Sequence, residues 1–334
     1  MKFMNSKTMV RNILITICLP ILMFVVMYTI TKSNGIDYYG QAAMWKAIFR
    51  NLGMAVTMGC GLAMQLRHGR FDFSGGATMV LAGILGVYYT QQFNGGPMML
   101  LTLCVVFSVM ISMITATVYV TSKLPIIICT IMLALVYEAL TLVLAGGNGV
   151  NIMANVGLNI FGREPYTIYI MVFAMILYQI ILSLTPFGYR AKLLRHGQHV
   201  SVNIGINERK NVITAYVFSG ILFGLAATIF VSQNKVETLS NLSSTGILFS
   251  YIASVYIGMF LGKLTLEIVG LTIGALTIQL MNYGLGAMGY DSGGWNNIFF
   301  GIFMMTFWII TSKAGQIEIF LSNLSKKKEI GQKT

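Results

Sequence analysis

The chain has 334 residues, of which 56% are hydrophobic and only 10% are charged, whereas soluble domains carry about 25% charged residues. This composition excludes a soluble fold, and the high hydrophobicity also excludes intrinsic disorder. The formal net charge of +12 would suggest nucleic acid in a soluble protein, but the cytoplasmic loops of membrane proteins acquire the same excess. We therefore predict an all-α polytopic membrane protein that contacts lipid and not nucleic acid.

Ten apolar stretches approach the length of about 20 residues that a helix needs to cross the hydrocarbon core. In chain order they run over residues 13–30, 47–66, 71–90, 97–121, 125–145, 167–184, 212–231, 246–261, 266–283 and 295–311. The second, third, eighth and ninth are short or rich in glycine, so we expect short or broken helices among them. The first has a basic lead-in but no small-residue cleavage site, which predicts an uncleaved helix.

Basic residues are distributed unevenly between the loops. If the N-terminus faces the cytoplasm, all but five of the 22 basic residues lie in cytoplasmic segments. The exceptions are Lys32, Lys46, Arg50, Arg163 and Lys235. The positive-inside rule then predicts that both termini are cytoplasmic. On this view residues 1–334 form a single membrane domain with cytoplasmic tails at 1–12 and 313–334.

The sequence offers no pattern typical of a metal site or of covalent catalysis. Its four cysteines lie in apolar runs without ligand spacing. His68, His196 and His199 fall in predicted cytoplasmic turns, where we expect solvated side chains or side chains that face phosphate. A G-x-G-x-x-G run at residues 284–289 follows a membrane helix and not a strand, which argues against nucleotide binding. We expect neither a cofactor nor enzymatic activity in this chain.

The longest predicted cytoplasmic connection, residues 186–210, differs from the rest of the chain. It contains five basic residues and two histidines. The span that follows carries small residues, including Gly220 and Gly224, at a spacing that allows neighbouring helices to approach closely. The connection is therefore a candidate contact surface on the cytoplasmic side.

Five blocks of sequence, in the same order and at similar spacing, resemble the membrane permeases of bacterial ABC importers. The blocks are residues 70–76, 123–130, 144–147, 186–206 and 281–301. The first resembles the G-x-D-L-S-x-G start of a helix, the second the P-F-I-x-T-L-G-T block, and the third a Gly-Gly turn. The resemblance is to the ribose and galactoside type within the branched-chain amino-acid permease superfamily.

The resemblance implies a bacterial inner-membrane protein that works as a pair of permease subunits, identical or mixed. Two separate cytoplasmic ATPases would bind ATP and magnesium, and an external solute-binding protein would deliver the cargo. The coupling helix of the family would fall near residues 196–206. The residues assigned on this basis to the ATPase-coupling loop are Arg195, His196, Gly197, His199, Val200, Val202, Gly205 and Ile206.

Four polar residues inside predicted spans are candidates for the translocation path: Thr130, Glu138, Gln279 and Asn282. A carboxylate such as Glu138 is costly in the membrane unless it faces a water-filled cavity or a partner, so a path role and a structural role are both open. Gln279 and Asn282 would serve either a solute or hydrogen bonds between helices. Asp72, near the start of the third span, is expected to cap that helix.

The function that these observations favour is a permease subunit of an ATP-driven importer for a sugar or a similar small polar solute. One alternative is a secondary transporter or channel that works without an ATPase, and it would need ion-coupling carboxylates or an inverted repeat. A second alternative is a membrane scaffold that transports nothing itself.

Overall fold

A computed structural model describes residues 6–196, 207–290, 294–295, 298–309 and 312. Its helices are α1 (Ser6–Ser33), α2 (Ala42–Arg67), α3 (Gly75–Gln92), α4 (Pro97–Ser122), α5 (Ile126–Val143), α6 (Tyr166–Leu184), α7 (Pro186–His196), α8 (Glu208–Gln233), α9 (Ser243–Leu261), α10 (Glu267–Ala287) and α11 (Ile298–Ile309). Within these ranges an isolated bridge between Val150 and Val236 is the sole extended pairing. The predicted all-α polytopic membrane fold is confirmed.

Eight described helices are long and apolar enough to cross a membrane, two fewer than predicted. Of the predicted spans, α3 and α11 do not qualify, α11 because only 12 residues are described as helical. Residues 75–84 of α3 are all buried, so this part of the helix is surrounded by protein and need not be as apolar as a lipid-facing span. The second, eighth and ninth predicted spans form the uninterrupted helices α2, α9 and α10.

Contacts between helix ends define two opposite faces of the bundle. The basic face holds Asn12 in the first part of α1 and the helix ends at Arg67, Lys123, Thr185, Asn207 and Leu264. The loop face holds the connections 34–41, 93–96, 144–165 and 234–242. The amide of Asn12 donates to Leu264 O at 3.1 Å on the basic face, and Tyr38 OH donates to Ala287 O at 3.1 Å on the loop face. That the basic face is cytoplasmic remains a prediction.

Close helix packing at the centre of the bundle depends on small residues. A Cβ atom at Gly224 of α8 would lie 2.5 Å from the Cα atom of Val105 in α4, and one at Gly220 would lie 2.9 Å from the Cα atom of Val109. These two helices therefore pack backbone to backbone, as the sequence spacing predicted. The buried core formed around α2, α3, α4 and α8 fixes the positions of the remaining helices.

The predicted Gly-Gly turn after the fifth span is confirmed. Helix α5 ends at Val143 and a short 3-10 helix covers Leu144–Gly147. Gly146 and Gly147 have φ angles of 77° and 69°, a conformation that residues with a Cβ atom adopt at a cost. The turn directs the chain into the long loop-face connection.

Candidate functional site

A polar cavity opens on the loop face beside the end of α10. Its volume is about 390 Å³, and its lining includes Tyr38, Asn51, Gln279 and Asn282. The backbone around it is fixed, because Tyr38 OH bonds to Ala287 O and the hydroxyl of the adjacent Tyr39 donates to Leu280 O, both at 3.1 Å. The cavity thus presents neutral amide and hydroxyl groups on a rigid rim.

Asn282 is the residue of this lining with an unpaired polar atom. Its Oδ1 atom is buried and has no hydrogen-bond partner among the described residues. A buried polar atom left without a partner costs about 1–3 kcal/mol, and water or a ligand hydroxyl removes that cost. The structure therefore brings together two of the four path candidates, Gln279 and Asn282.

Glu138 lies elsewhere, at the loop-face end of α5, with only 1% of its surface exposed. Its two carboxylate oxygens accept hydrogen bonds from the backbone N–H groups of Leu242 and Ser244, each at 2.7 Å. These donors stand at the start of α9, where helix N–H groups lack intrahelical partners and the helix dipole favours negative charge. The structure thus shows Glu138 as a cap supplied by a different helix.

Two neighbouring residues strengthen the attachment of α5 to the start of α9. The hydroxyl of Thr141 accepts from Leu239 N at 2.8 Å and donates to Glu138 O at 2.7 Å. From the other side, Gly76 of α3 approaches so closely that a Cβ atom there would collide with the carbonyl oxygen of Ser244. The connection before α9 is therefore held between α3 and α5.

Thr130 lies at the opposite, basic-face end of α5. It is fully buried, and its hydroxyl accepts a hydrogen bond from Phe73 N at 3.1 Å and donates to Ile126 O at 2.9 Å. Asp72 Oδ1 accepts from the backbone N–H and the hydroxyl of Ser74, at 2.7 and 2.6 Å. Both side chains stabilise the segment that leads into α3. The two hydrogen bonds of Asp72 come from Ser74, which precedes the first helical residue and makes no side-chain cap bond itself, so the predicted helix cap by Asp72 is wrong. The four path candidates therefore do not converge on one site.

An ion pair on the basic face joins helices that are distant in sequence. Arg67, the last residue of α2, pairs with Glu267, the first residue of α10. Tyr178 of α6 donates its hydroxyl to the other oxygen of Glu267 at 2.7 Å. In the sequence Arg67 counts only as one of the basic residues of the predicted cytoplasmic segments. The available signal was that both charges lie beside apolar spans on the same predicted side.

The short segment after Arg67 buries further charge. Burial, together with the charge of Arg70, lowers the pKa of His68 to about 4, and its Nδ1 atom lies 2.6 Å from Met64 O. Burial also lowers the pKa of Arg70 and raises that of Asp72. The expectation that His68 is solvated is therefore wrong. Its ring is covered by Phe187, whose centroid lies 5.2 Å away.

The structure describes only the first part of the predicted coupling segment. Arg195 and His196 lie in the last turn of α7, and the other six assigned residues, Gly197, His199, Val200, Val202, Gly205 and Ile206, lie outside the described ranges. Phe187 in the first turn of α7 contacts His68 and also Phe218 of α8, with ring centroids 5.4 Å apart in the second pair. Helix α7 is thus packed against the end of α2 and against α8.

Comparison with known families gives the context for this arrangement. The family described as branched-chain amino acid transport system / permease component matches residues 44–308. The chain belongs to this family. The match begins in the first turn of α2 and ends in α11, so it includes the ion pair and the cavity residues Asn51, Gln279 and Asn282, whereas Tyr38 precedes it. With eight long apolar helices, the permease is a multi-pass membrane protein, located in bacteria in the inner membrane.

The similarity to individual proteins is low and covers only part of each chain. An uncharacterized protein of Mycoplasma genitalium, MG120, is 21% identical over 284 residues, which are 74% of this chain and 54% of that protein. The ribose import permease protein RbsC of Bacillus subtilis is 30% identical over 112 residues, 32% of this chain and 35% of that permease. The permease thus spans about half of the first relative and about a third of the second. No solved structure matches.

Proposed function

We propose that the permease is the membrane-spanning subunit of an ATP-binding-cassette importer for a sugar or a similar small polar solute. The observation that carries the proposal is the family match over residues 44–308, which coincides with a bundle of spanning helices. The local similarity to a ribose import permease supports a sugar as the solute class. In this scheme the permease performs no covalent chemistry, and ATP and magnesium bind to separate ATPase subunits.

The chemistry of the loop-face cavity supports a neutral solute. Asn51, Gln279, Asn282 and Tyr38 supply amide and hydroxyl groups but no charge. Sugar hydroxyls donate and accept hydrogen bonds, and amides do both at a fixed geometry. A solute delivered to this face by an external binding protein would satisfy the buried Oδ1 atom of Asn282. Glu138 and Thr130, the other two path candidates, would act indirectly by holding α9 and α3.

Coupling to the ATPase is assigned to the connection between α6 and α8. The ATPase would contact the loop around Arg195, His196 and Gly205 from the basic face. Helix α7 supports this assignment because Phe187 packs between His68, the residue after α2, and Phe218 of α8. A displacement of α7 would therefore be transmitted directly to the end of α2 and to α8. Nucleotide-driven movement can then bias the equilibrium between inward-open and outward-open states.

Purification from native membranes tests the proposed assembly. A tagged permease, extracted in mild detergent, should bring along an ABC ATPase, an external binding protein and a second permease subunit, identical or different. Mass spectrometry of small molecules released from the binding protein should identify a sugar or a related polar solute. Recovery of the permease without any ATPase, combined with solute uptake driven by an ion gradient, would instead establish a secondary transporter. A chain that supports no uptake under either condition would be a scaffold.

Variants of the coupling loop test the assigned contact. Replacing Gly197 or Gly205, or changing Arg195→Glu, should abolish uptake while membrane insertion stays normal. The matched control is Lys123→Glu, which reverses a charge on the same face outside the loop. Normal uptake by all three loop variants would reject the assignment of the coupling loop without affecting the membership of the family.

A further inference from the structure

Five basic residues are expected on the loop face, although most basic residues of the chain are expected on the opposite face, and three of the five lie together. Of the five cations expected on that face, Lys235 pairs with Glu237 at 2.9 Å, and the amino group of Lys32 lies 5.6 Å from the ring centroid of Tyr28. The other three line a single cleft of about 370 Å³. They are Lys46, Arg50 and Arg163.

No carboxylate neutralises these three cations in the described part of the chain. Ion pairs in these ranges are limited to Arg67 with Glu267 and Lys235 with Glu237. Glu164 also lines the cleft but lies within 4.0 Å of none of the cationic nitrogens. Three cations and one carboxylate leave the cleft with an excess of positive charge, which attracts an anion.

The cleft is built on a fixed backbone. Gln233, at the end of α8, donates its side-chain amide to Arg50 O at 3.3 Å and to Gly162 O at 3.4 Å. Gly162 itself packs so closely that a Cβ atom would lie 2.6 Å from Ser232 O. Lys46 and Arg50 are four residues apart on α2 and therefore share one side of that helix. The two walls that carry the cations are thus tied to α8.

Exposed aromatic residues indicate that the cleft lies at the membrane–water interface. Tyr166 and Tyr169 stand in the first turn of α6, immediately after Arg163, and are 41% and 62% exposed. Phe49, adjacent to Arg50, is 45% exposed. Exposed tyrosines at the end of a spanning helix are typical of the membrane–water interface, where lipid headgroups lie. Cations at this height meet phosphate groups, and apolar surface beside them meets acyl chains.

We propose that this cleft binds the phosphate of an anionic phospholipid headgroup in the leaflet at the loop face. Arg50 and Arg163 offer the planar donor pairs that match phosphate oxygens, and Lys46 adds a point charge. The acyl chains would lie along the exposed apolar residues of α6. The bound lipid would fill the gap between the starts of α2 and α6, whose nearby segments are both tied to α8. This proposal does not depend on the transported solute or on the ATPase.

The test is a lipid titration of the full-length permease in detergent, read by native mass spectrometry. The probes are dioleoyl phosphatidylglycerol and dioleoyl phosphatidylcholine. The wild-type permease should prefer the anionic lipid. The triple variant Lys46→Gln, Arg50→Gln and Arg163→Gln should bind it about a hundredfold more weakly, because each basic residue near anionic lipid contributes about a factor of five.

Two further variants separate the cleft from general charge and folding effects. Lys32→Gln combined with Lys235→Gln removes two other loop-face cations and should keep the lipid preference. Arg50→Lys combined with Arg163→Lys keeps the charge and should retain most of the binding. The proposal is overturned if the triple variant keeps the preference, or if the wild type binds both lipids equally. It is also overturned if inorganic phosphate, or an acidic protein partner, depends on these residues while phosphatidylglycerol does not.

Discussion

Two carboxylates at the starts of consecutive helices are stabilised in different ways. Glu138 reaches the start of α9 on the loop face and accepts only backbone N–H donors, from Leu242 and Ser244. Glu267 begins α10 on the basic face and pairs with Arg67 and Tyr178. Each carboxylate stands at the positive end of a helix, but only the second has a cation beside it.

The difference shows how each face is held together. At Glu138 an acidic side chain fixes a backbone connection, so the bond depends on the helix start being in place. At Glu267 charges from two helices and a hydroxyl from a third meet, so the bond joins α2, α6 and α10 as one unit. The basic face is therefore joined here by side-chain contacts between three helices, whereas the contact at Glu138 joins a side chain to the backbone of one helix start.

The largest effect is expected from Arg67→Ala, which breaks the ion pair on the basic face. Glu267 would keep only the hydroxyl of Tyr178, and breaking a largely buried pair from one side costs about 3–5 kcal/mol. Thermal unfolding in detergent measures the loss. The control Lys263→Ala removes an exposed cation of the same face and should cost less than about 0.5 kcal/mol. Equal effects of the two variants would show that the pair contributes nothing.

The next loss of stability is expected from a steric clash at the start of α9, where Glu138 caps the backbone of Leu242 and Ser244. In Gly76→Ala the new Cβ atom meets the carbonyl oxygen of Ser244, and overpacking of this kind costs about 1–3 kcal/mol. The matched control is Gly246→Ala in α9, where nothing lies within 4 Å of the added atom. That control should be neutral or slightly stabilising, because alanine favours a helix. Loss of stability in both variants would contradict a specific contact.

Glu138→Gln tests the chemistry of the same cap without changing its size. The amide keeps one acceptor oxygen but turns an N–H₂ group toward a backbone donor, which should cost about 1.5–3 kcal/mol. Hydrogen exchange should accelerate at the amides of Leu242 and Ser244, while the amides around Glu267 keep their protection. If exchange at the two amides is unchanged, the cap does not hold the start of α9.

A dependence on pH is expected at the basic face through His68. Its pKa is about 4 in the folded protein, compared with the ordinary histidine value of 6.5 that applies to the unfolded chain. Above pH 6.5 the ring is neutral in both states and costs nothing. Below it the unfolded chain takes up a proton that the native protein does not, so stability falls by up to about 1.4 kcal/mol per pH unit down to pH 4. The His68→Asn variant should show a shallower slope over that range, and an unchanged slope would contradict this origin.

The sequence predicted features that follow from local composition. The apolar stretches and the close packing at Gly220 and Gly224 follow from a few adjacent residues, and the Gly-Gly turn at Gly146 and Gly147 was expected from the resemblance to the permease family. The buried position of α3 could not be predicted in this way. This helix is too polar for a lipid-facing span, and it tolerates that composition because neighbouring helices bury much of it. Its burial depends on how the other helices are arranged.

The roles of the buried acids could not be derived from the chain alone. The partners of Glu138 lie more than 100 residues away, and Arg67 and Glu267 are separated by 200. A polar residue in a span predicts that some partner exists, but the pattern does not name it. Gln279 and Asn282 share a cavity because they are three residues apart on one helix, a relation that helical periodicity does provide.

Reconstituted uptake tests the central proposal most directly. The permease is assembled in vesicles with its co-purified ATPase and binding protein, and accumulation of the solute carried by that binding protein is measured with ATP or a non-hydrolysable analogue on the ATPase side. The account predicts uptake that requires hydrolysis and stops in the Arg195→Glu variant while ATP turnover continues. Uptake at full rate with the analogue, or with no ATPase present, would contradict it.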